Sequence, residues 1–215
     1  MAMEQRIKVN GHSFIIKSDQ LLDQCQTSLL LKGLQKLPSP IVEQLASRIQ
    51  IQISGESSYL ETTYGKVGGM YNALTDTIRL PLRFSLVDVV HELAHAISDH
   101  CGRPDSIPLD PELSYPELYR DLMDRVEHQD VYSKNGQVGE EIFVRIATNL
   151  LIYGTAVNPW NEHEDTCDEF GNHVPILQPV IDILAQALST DSNIPFVRDI
   201  ENFFRNYPAK AQSDK

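Results

Sequence analysis

The 215-residue chain is poor in several of the features that would assign it to a broad class quickly. It has no window of eighteen uninterrupted apolar residues, which excludes a membrane-spanning helix on length grounds. Its opening, Met1-Ala2-Met3-Glu4-Gln5-Arg6-Ile7-Lys8, lacks the apolar stretch and small-residue cleavage site of a secretory signal. Cysteine is scarce. Cys25, Cys101 and Cys167 are odd in number and widely spaced, so neither a disulfide framework nor a CxxC zinc site is expected, and reduced thiols are the simplest reading. Positive charge is also short: 18 Lys and Arg against 30 Asp and Glu leave a net charge of −12. Nucleic-acid binding normally needs a basic face to displace counterions, so that partner class is excluded and a cationic protein or peptide is favoured.

What is present suits a soluble α+β protein, with 41% hydrophobic and 22% charged residues, long enough to bury a core. Arg6 to Lys17 reads as a β-hairpin, because Asn10-Gly11 accepts the positive φ angles of a tight turn. Asp19 is the expected cap of a helix running to about Leu37, where Pro38-Ser39-Pro40 stops it. A second helix carries Ile41, Val42, Leu45 and Ala46. Arg48 to Ser54 alternates apolar and polar with period two and reads as a half-buried strand. Two short strands are expected at Gly68 to Asn72 and Thr77 to Leu80, around a turn at Thr75-Asp76. From Ser85 the pattern turns helical, with Leu86, Val87, Val90, Leu93, Ala94 and Ile97 on one face and a Ser85/Asp88 capping box. Later helices are expected at Glu140 to about Tyr153, Val180 to Leu188 and Val197 to Phe204. One domain is expected over 1–215, with an N-terminal part (1–68), a metal-binding core (69–153) and a helical C-terminal part (154–215).

The informative feature is His91-Glu92-Leu93-Ala94-His95. An α-helix turns once in about 3.6 residues, so the two histidines project from one face and can reach a single ion. Glu92 is offset enough to miss the ion yet face a reacting water. Zinc accepts imidazole nitrogens and keeps an open position in catalytic sites, and a glutamate placed like Glu92 can act as general base. With seven histidines and fourteen glutamates in the chain, HExxH arises by chance in about one or two such chains per hundred. Its placement in a capped amphipathic helix preceded by short strands therefore carries more weight than the pattern.

A catalytic zinc needs a third protein ligand. An HExxHxxGxxH continuation fails, because Ser98 stands at the glycine position and Cys101 at the third histidine. Asp99 and His100 belong to the end of the motif helix and point away from the ion. A glutamate on a second helix remains, and Glu140 and Glu141 are both available.

HELAH followed by Glu141-Ile142-Phe143 and, further along the same helix, Ala147 resembles the gluzincin metallopeptidases, and its spacing is similar to the catalytic domain of anthrax-type lethal factors. The resemblance covers about residues 69 to 153 and implies a zincin-like fold with a small mixed sheet. It implies one zinc per chain held by His91, His95 and Glu141, with Glu92 as general base and Tyr132 as hydrogen-bond donor to the developing oxyanion. An edge strand at Gly69 to Pro81 would lie antiparallel to a bound peptide. The implied activity is hydrolysis of peptide bonds in a particular protein substrate. The narrower expectation is a bacterial effector or toxin that is cytoplasmic or delivered into a host cell by a specialised secretion system. The alternatives are a small-amide or short-peptide hydrolase, and a zincin-like interaction module without catalysis.

The chain departs from the family pattern in two places. Arg145 stands one turn after the ligand glutamate, where an acid that steadies a zinc histidine is often found, and Tyr132 lies slightly farther from the glutamate. Glu140, Asp88 and Asp99 are the candidates for the missing supporting acid. A second polar cluster, His163, Glu164, Asp165, Cys167, Asp168, Glu169 and His173, matches no ligand spacing and reads as a solvated loop. The acidic run from Asp99 to Asp130 reads as a solvated helix face.

Overall fold

Residues 3–55, 59–62, 65–107, 137–156 and 196–207 are described by the structure, a computed structural model. The chain opens with the expected hairpin: β1 (Met3–Val9) and β2 (His12–Ser18) pair antiparallel from Met3↔Ser18 to Val9↔His12. Asn10 and Gly11 turn it at φ 50° and 87°, the left-handed region that Asn and Gly tolerate best. Helix α1 (Gln24–Gln35) starts later than expected. Asp23, rather than Asp19, is its cap: Asp23 accepts from the Gln26 amide, and the Gln26 side chain accepts from the Asp23 amide. That reciprocal pairing satisfies two donors that a start at Leu21 would leave open. Helix α2 (Ser39–Ala46) follows, with Pro40 in its first turn, where a missing amide proton costs nothing.

Strand β3 (Gln50–Ile53) buries Ile51 and Ile53 and exposes its glutamines more, as the alternation required. A small hairpin of β4 (Leu60–Thr62) and β5 (Gly65–Val67) comes next and was not expected, since three-residue strands are too short to show a period. Then β6 (Met70–Asn72) and β7 (Thr77–Leu80) pair antiparallel around the predicted turn. The sheet order is β1-β2-β3-β7-β6, with β2/β3 and β3/β7 parallel. Among the described residues the sheet is therefore small, open and mixed, with β6 at one edge.

Helix α3 (Leu86–His100) carries the motif and begins with the expected capping box: Ser85 accepts from the Asp88 amide and Asp88 accepts from the Ser85 amide. Such a cap is worth about 1 kcal/mol and fixes where the helix starts, and so which residues face which way. Val89, Val90, Leu93, Ala94, Ala96 and Ile97 are all buried, so α3 is covered around most of its circumference. It packs against α1, α2, β6 and β7, and most extensively against α4 (Gln137–Tyr153), which starts three residues before the expected Glu140. Helix α5 (Phe196–Asn206) packs on α4 through the Phe203 and Phe204 rings, at 6.2 and 6.5 Å from the Phe143 ring. A continuous core joins these elements, with Phe14, Ile16, Leu30, Leu34, Ile51, Ile78, Leu93, Ile142, Phe143 and Ile200 all inside it. Among the described residues there are five helices, none long and apolar enough to cross a membrane. The helix expected at Val180 to Leu188 lies outside the described residues.

Candidate metal centre

The α3/α4 contact brings together the three residues that the sequence pointed to as ligands. His91 and His95 are four residues apart on α3, about 40° around the helix, and both imidazoles lean toward α4. His95 Nε2 lies 3.3 Å from Glu141 Oε1 and His91 Nε2 lies 3.7 Å from Glu141 Oε2. The imidazole rings meet edge to face, with centroids 5.0 Å apart. One ligand atom from each of His91, His95 and Glu141 falls within 4.8 Å of the others, so the group could hold a metal ion. A tetrahedral ion with bonds of about 2.0 to 2.3 Å holds its ligand atoms about 3.3 to 3.8 Å apart, so the observed spacings need little adjustment. The phenylalanine contacts behind Glu141 explain why it is held in place: Ile142, Phe143 and Ile146 anchor its helix in the core.

The surrounding electrostatics separate the two imidazoles. At His91 burial, assisted by the Arg145 charge, pushes the pKa well below its ordinary value, so this ring is neutral. Its Nδ1 is buried and makes no hydrogen bond among the described residues. At His95 burial also acts to lower the pKa, but hydrogen bonds to Glu140 and Glu141 outweigh it and raise the value to about 10. Its Nδ1–H donates to Glu140 Oε1 at 3.0 Å, and that bond holds the Glu140 carboxyl below its ordinary range. Consecutive glutamates thus grip opposite nitrogens of one histidine. Glu140 fills the place of the supporting acid, while Asp88 and Asp99 are engaged elsewhere.

Arg145 has its own explanation. It lies close enough to Asp88 to offset part of the burial that raises the pKa of that carboxyl, and its charge also acts on His91. An acid at 145 would instead put a third carboxylate beside Asp88 and Glu141.

Glu92 is buried beside His95 and Glu141, with its pKa raised to about 8 chiefly by burial. The His95 charge and, least of all, the Tyr71 backbone on β6 act in the opposite direction. The chain reaches this glutamate through two glycines. A Cβ at Gly69 would stand 2.6 Å from Glu92 Cγ, and one at Gly68 would stand 2.3 Å from Asp88 Oδ1. No other residue lets the backbone pass so near. The glycine pair was the sequence signal for this approach, but nothing in its spacing named Glu92 as the neighbour.

The far end of α3 holds a separate polar group. The Tyr71 hydroxyl donates to Asp99 Oδ2 at 2.7 Å, and it also lies 3.2 Å from Asp76 Oδ1 and 3.1 Å from His100 Nε2. His100 Nε2 is 2.9 Å from Asp76 Oδ1, and Arg48 Nη1 is 3.5 Å from His100 Nδ1. Burial first, then the Asp99 and Asp76 carboxylates, keep the Tyr71 hydroxyl protonated and hence a donor. Asp76, Asp99 and His100 could also hold an ion by spacing alone. Tyr132 and the His163 to His173 cluster lie outside the described residues.

Compared with known proteins, the chain matches no family model, no curated protein and no solved structure.

Proposed function

We propose that the protein is a zinc metallopeptidase of zincin type, with His91, His95 and Glu141 as zinc ligands and Glu92 as general base. The observation that carries the reading is the convergence of two imidazole Nε2 atoms and one buried carboxylate, with a second buried carboxylate beside them that is not part of the ligand group. Three protein ligands leave a position open, which distinguishes a catalytic zinc from a structural one. A bound zinc supplies a Lewis acid that polarises the scissile carbonyl and lowers the pKa of water to about 7.

The remaining chemistry belongs to the chain. Glu92 takes the proton of the attacking water as the new carbon–oxygen bond forms, and returns it to the nitrogen as the carbon–nitrogen bond breaks. A carboxyl raised by burial is suited to both directions of transfer near neutral pH, and a divalent cation alongside draws the value down toward the base form. Glu140 orients His95 so that Nε2 is turned toward Glu141, where it would be free to bind an ion. Strand β6 is an edge of the described sheet beside Glu92, suited to hold an extended peptide by backbone hydrogen bonds. The net charge of −12 favours a basic substrate segment.

Glu92→Gln tests the reading. The variant should keep about one zinc per chain and lose about 10²- to 10⁴-fold in turnover of the substrate, found by trapping partners with the variant and comparing their cleavage by wild type. Unchanged turnover with zinc retained would remove Glu92 as the base.

A further inference from the structure

Three glycines press against helix α3 at points where a larger residue would collide. A Cβ at Gly33 of α1 would stand 2.5 Å from Val89 Cγ1, and one at Gly68 would stand 2.3 Å from Asp88 Oδ1. One at Gly69 would stand 2.6, 2.8 and 3.0 Å from Glu92 Cγ, Oε1 and Cδ. Neither Gly68 nor Gly69 has a positive φ, so what this pair supplies is space and not an unusual turn.

Asp88 and Glu92 are four residues apart, so they share one stripe of α3 and lie about 6 Å apart along its axis. Consecutive glycines meet consecutive members of that stripe, just before the chain enters β6. The two carboxylates face different tasks. Asp88 is committed to the helix cap, with Oδ2 accepting from the Ser85 amide at 2.7 Å and from the Ser85 hydroxyl at 2.8 Å. Glu92 has a longer arm with an additional rotatable bond, and it must hold a single orientation to serve as a base. Three of its four atoms beyond Cβ lie against the main chain at Gly69, and the residue is only 5% exposed.

We propose that Gly69 is a positioning residue for Glu92: the main chain there, bare of a side chain, forms a wall that confines the glutamate's arm to one orientation. The inference rests on Glu92 being the general base. The contact itself can be measured without turnover.

A double-mutant cycle tests the contact. Gly69→Ala drives a Cβ into the Glu92 arm and should lower Tm by about 5 °C, as overpacking of a filled space does. In a Glu92→Ala background the atoms that the Cβ meets are gone, and the same substitution should lower Tm by less than about 2 °C. Gly33→Ala presses on Val89 instead and should cost the same in both backgrounds. A second measurement reads the orientation. In protein labelled with 13C at the glutamate carboxyls, the Glu92 resonance, assigned by its loss in Glu92→Gln, should move in Gly69→Ala. Zinc content should stay at the wild-type value, which separates this effect from damage to the metal centre. With casein as a probe substrate, kcat should fall about 10- to 100-fold with KM nearly unchanged, as expected for a misplaced base and not for loss of substrate binding. If Gly69→Ala does not fold alone but folds together with Glu92→Ala, that rescue supports the contact. An equal loss of Tm in both backgrounds, or a double variant that also fails to fold, overturns the proposal. An unmoved Glu92 resonance overturns it as well, because Gly69 would then serve the fold alone. Failure of wild type to cleave casein would count against the peptidase reading, and the cycle and the resonance would still decide the role of Gly69.

Discussion

Helix α3 contributes to two groups of carboxylates and imidazoles, and both bring three ligand-type atoms within 4.8 Å of one another. They differ in what fills the space between those atoms. In the Asp76, Asp99 and His100 group a protein hydroxyl already sits there: Tyr71 O lies 2.7 to 3.2 Å from all three ligand-type atoms, and Arg48 faces the other imidazole nitrogen. Donors and acceptors are matched, and both aspartates are about 40% exposed. In the His91, His95 and Glu141 group no hydroxyl or amide among the described residues is interposed, the three side chains are nearly buried, and the donors facing Glu141 in the group are imidazoles. Composition makes the two groups look alike. What separates them is whether the chain supplies its own counter-donors, and the group that does not is the one suited to a cation.

The strongest way to break this contrast is to remove a ligand from each side. His91→Ala should take zinc from about one per chain to background, measured by atomic absorption on protein purified without added metal. Asp99→Asn should leave the zinc content unchanged. The opposite pattern would exchange the roles assigned to the two groups.

A smaller effect is expected at Glu140, which touches the metal centre only through His95. Glu140→Ala should weaken zinc binding about 10- to 100-fold in competition with a chromophoric chelator, the usual cost of losing a hydrogen bond to a ligating imidazole. Glu140→Gln keeps an acceptor for His95 Nδ1 and should lose less. Equal losses in the two variants would mean that charge, and not orientation, is what Glu140 contributes.

How much of this was legible beforehand follows from how local each signal is. The motif histidines, the capping box at Ser85 and Asp88, the turn at Asn10-Gly11 and the alternation of β3 are written within a few residues, and the structure places them as expected. A second helix offered Glu140 and Glu141 alike, and only the likeness to the gluzincin pattern, a glutamate directly before two bulky apolar residues, singled out Glu141. Asp19 was mistaken for the cap of α1 because the competing capping box, Asp23 with Gln26, sits beyond two leucines that resembled the first helical turn. The role of Tyr71 was not legible. It depends on a strand of three residues packed against a helix that begins fifteen residues later, and no spacing rule connects an edge-strand tyrosine to Asp99 or His100. Arg145 could be recognised from the sequence only as a departure; its neighbours Asp88 and His91 become visible once α4 is packed on α3.

Acidity should act on the His91, His95 and Glu141 group. Without metal His95 is raised to about 10 by Glu140 and Glu141 against the effect of burial, so its ring carries an extra proton at neutral pH. Metal can bind only the neutral ring, so zinc uptake between pH 7 and 8 should release about one proton from His95 and a further fraction from Glu92, whose value of about 8 the cation draws down, and apparent affinity should rise at least about tenfold per pH unit below the His95 pKa. Calorimetry in buffers of different ionisation enthalpy measures the release. Uptake without proton release would show that His95 is neutral before the metal arrives.

The smallest effect belongs to the self-satisfied group, and it is where the comparison can be sharpened most. His100→Ala removes the partner of Asp76 and the contact to Tyr71 from a side chain that is only 10% exposed. Losing these hydrogen bonds should cost about 1 to 2 kcal/mol, partly offset because Asp76 and Asp99 can turn to water. In a chain of this length each kcal/mol lowers Tm by about 2 to 4 °C, so a drop of several degrees is expected in a thermal melt. Excess zinc, which stabilises the folded state by mass action at the other group, should raise the Tm of wild type and of His100→Ala by the same amount. A variant that loses the zinc-dependent increment would show that the two ends of α3 are coupled through the helix, and that the polar group at its C-terminus helps to hold the metal at its centre.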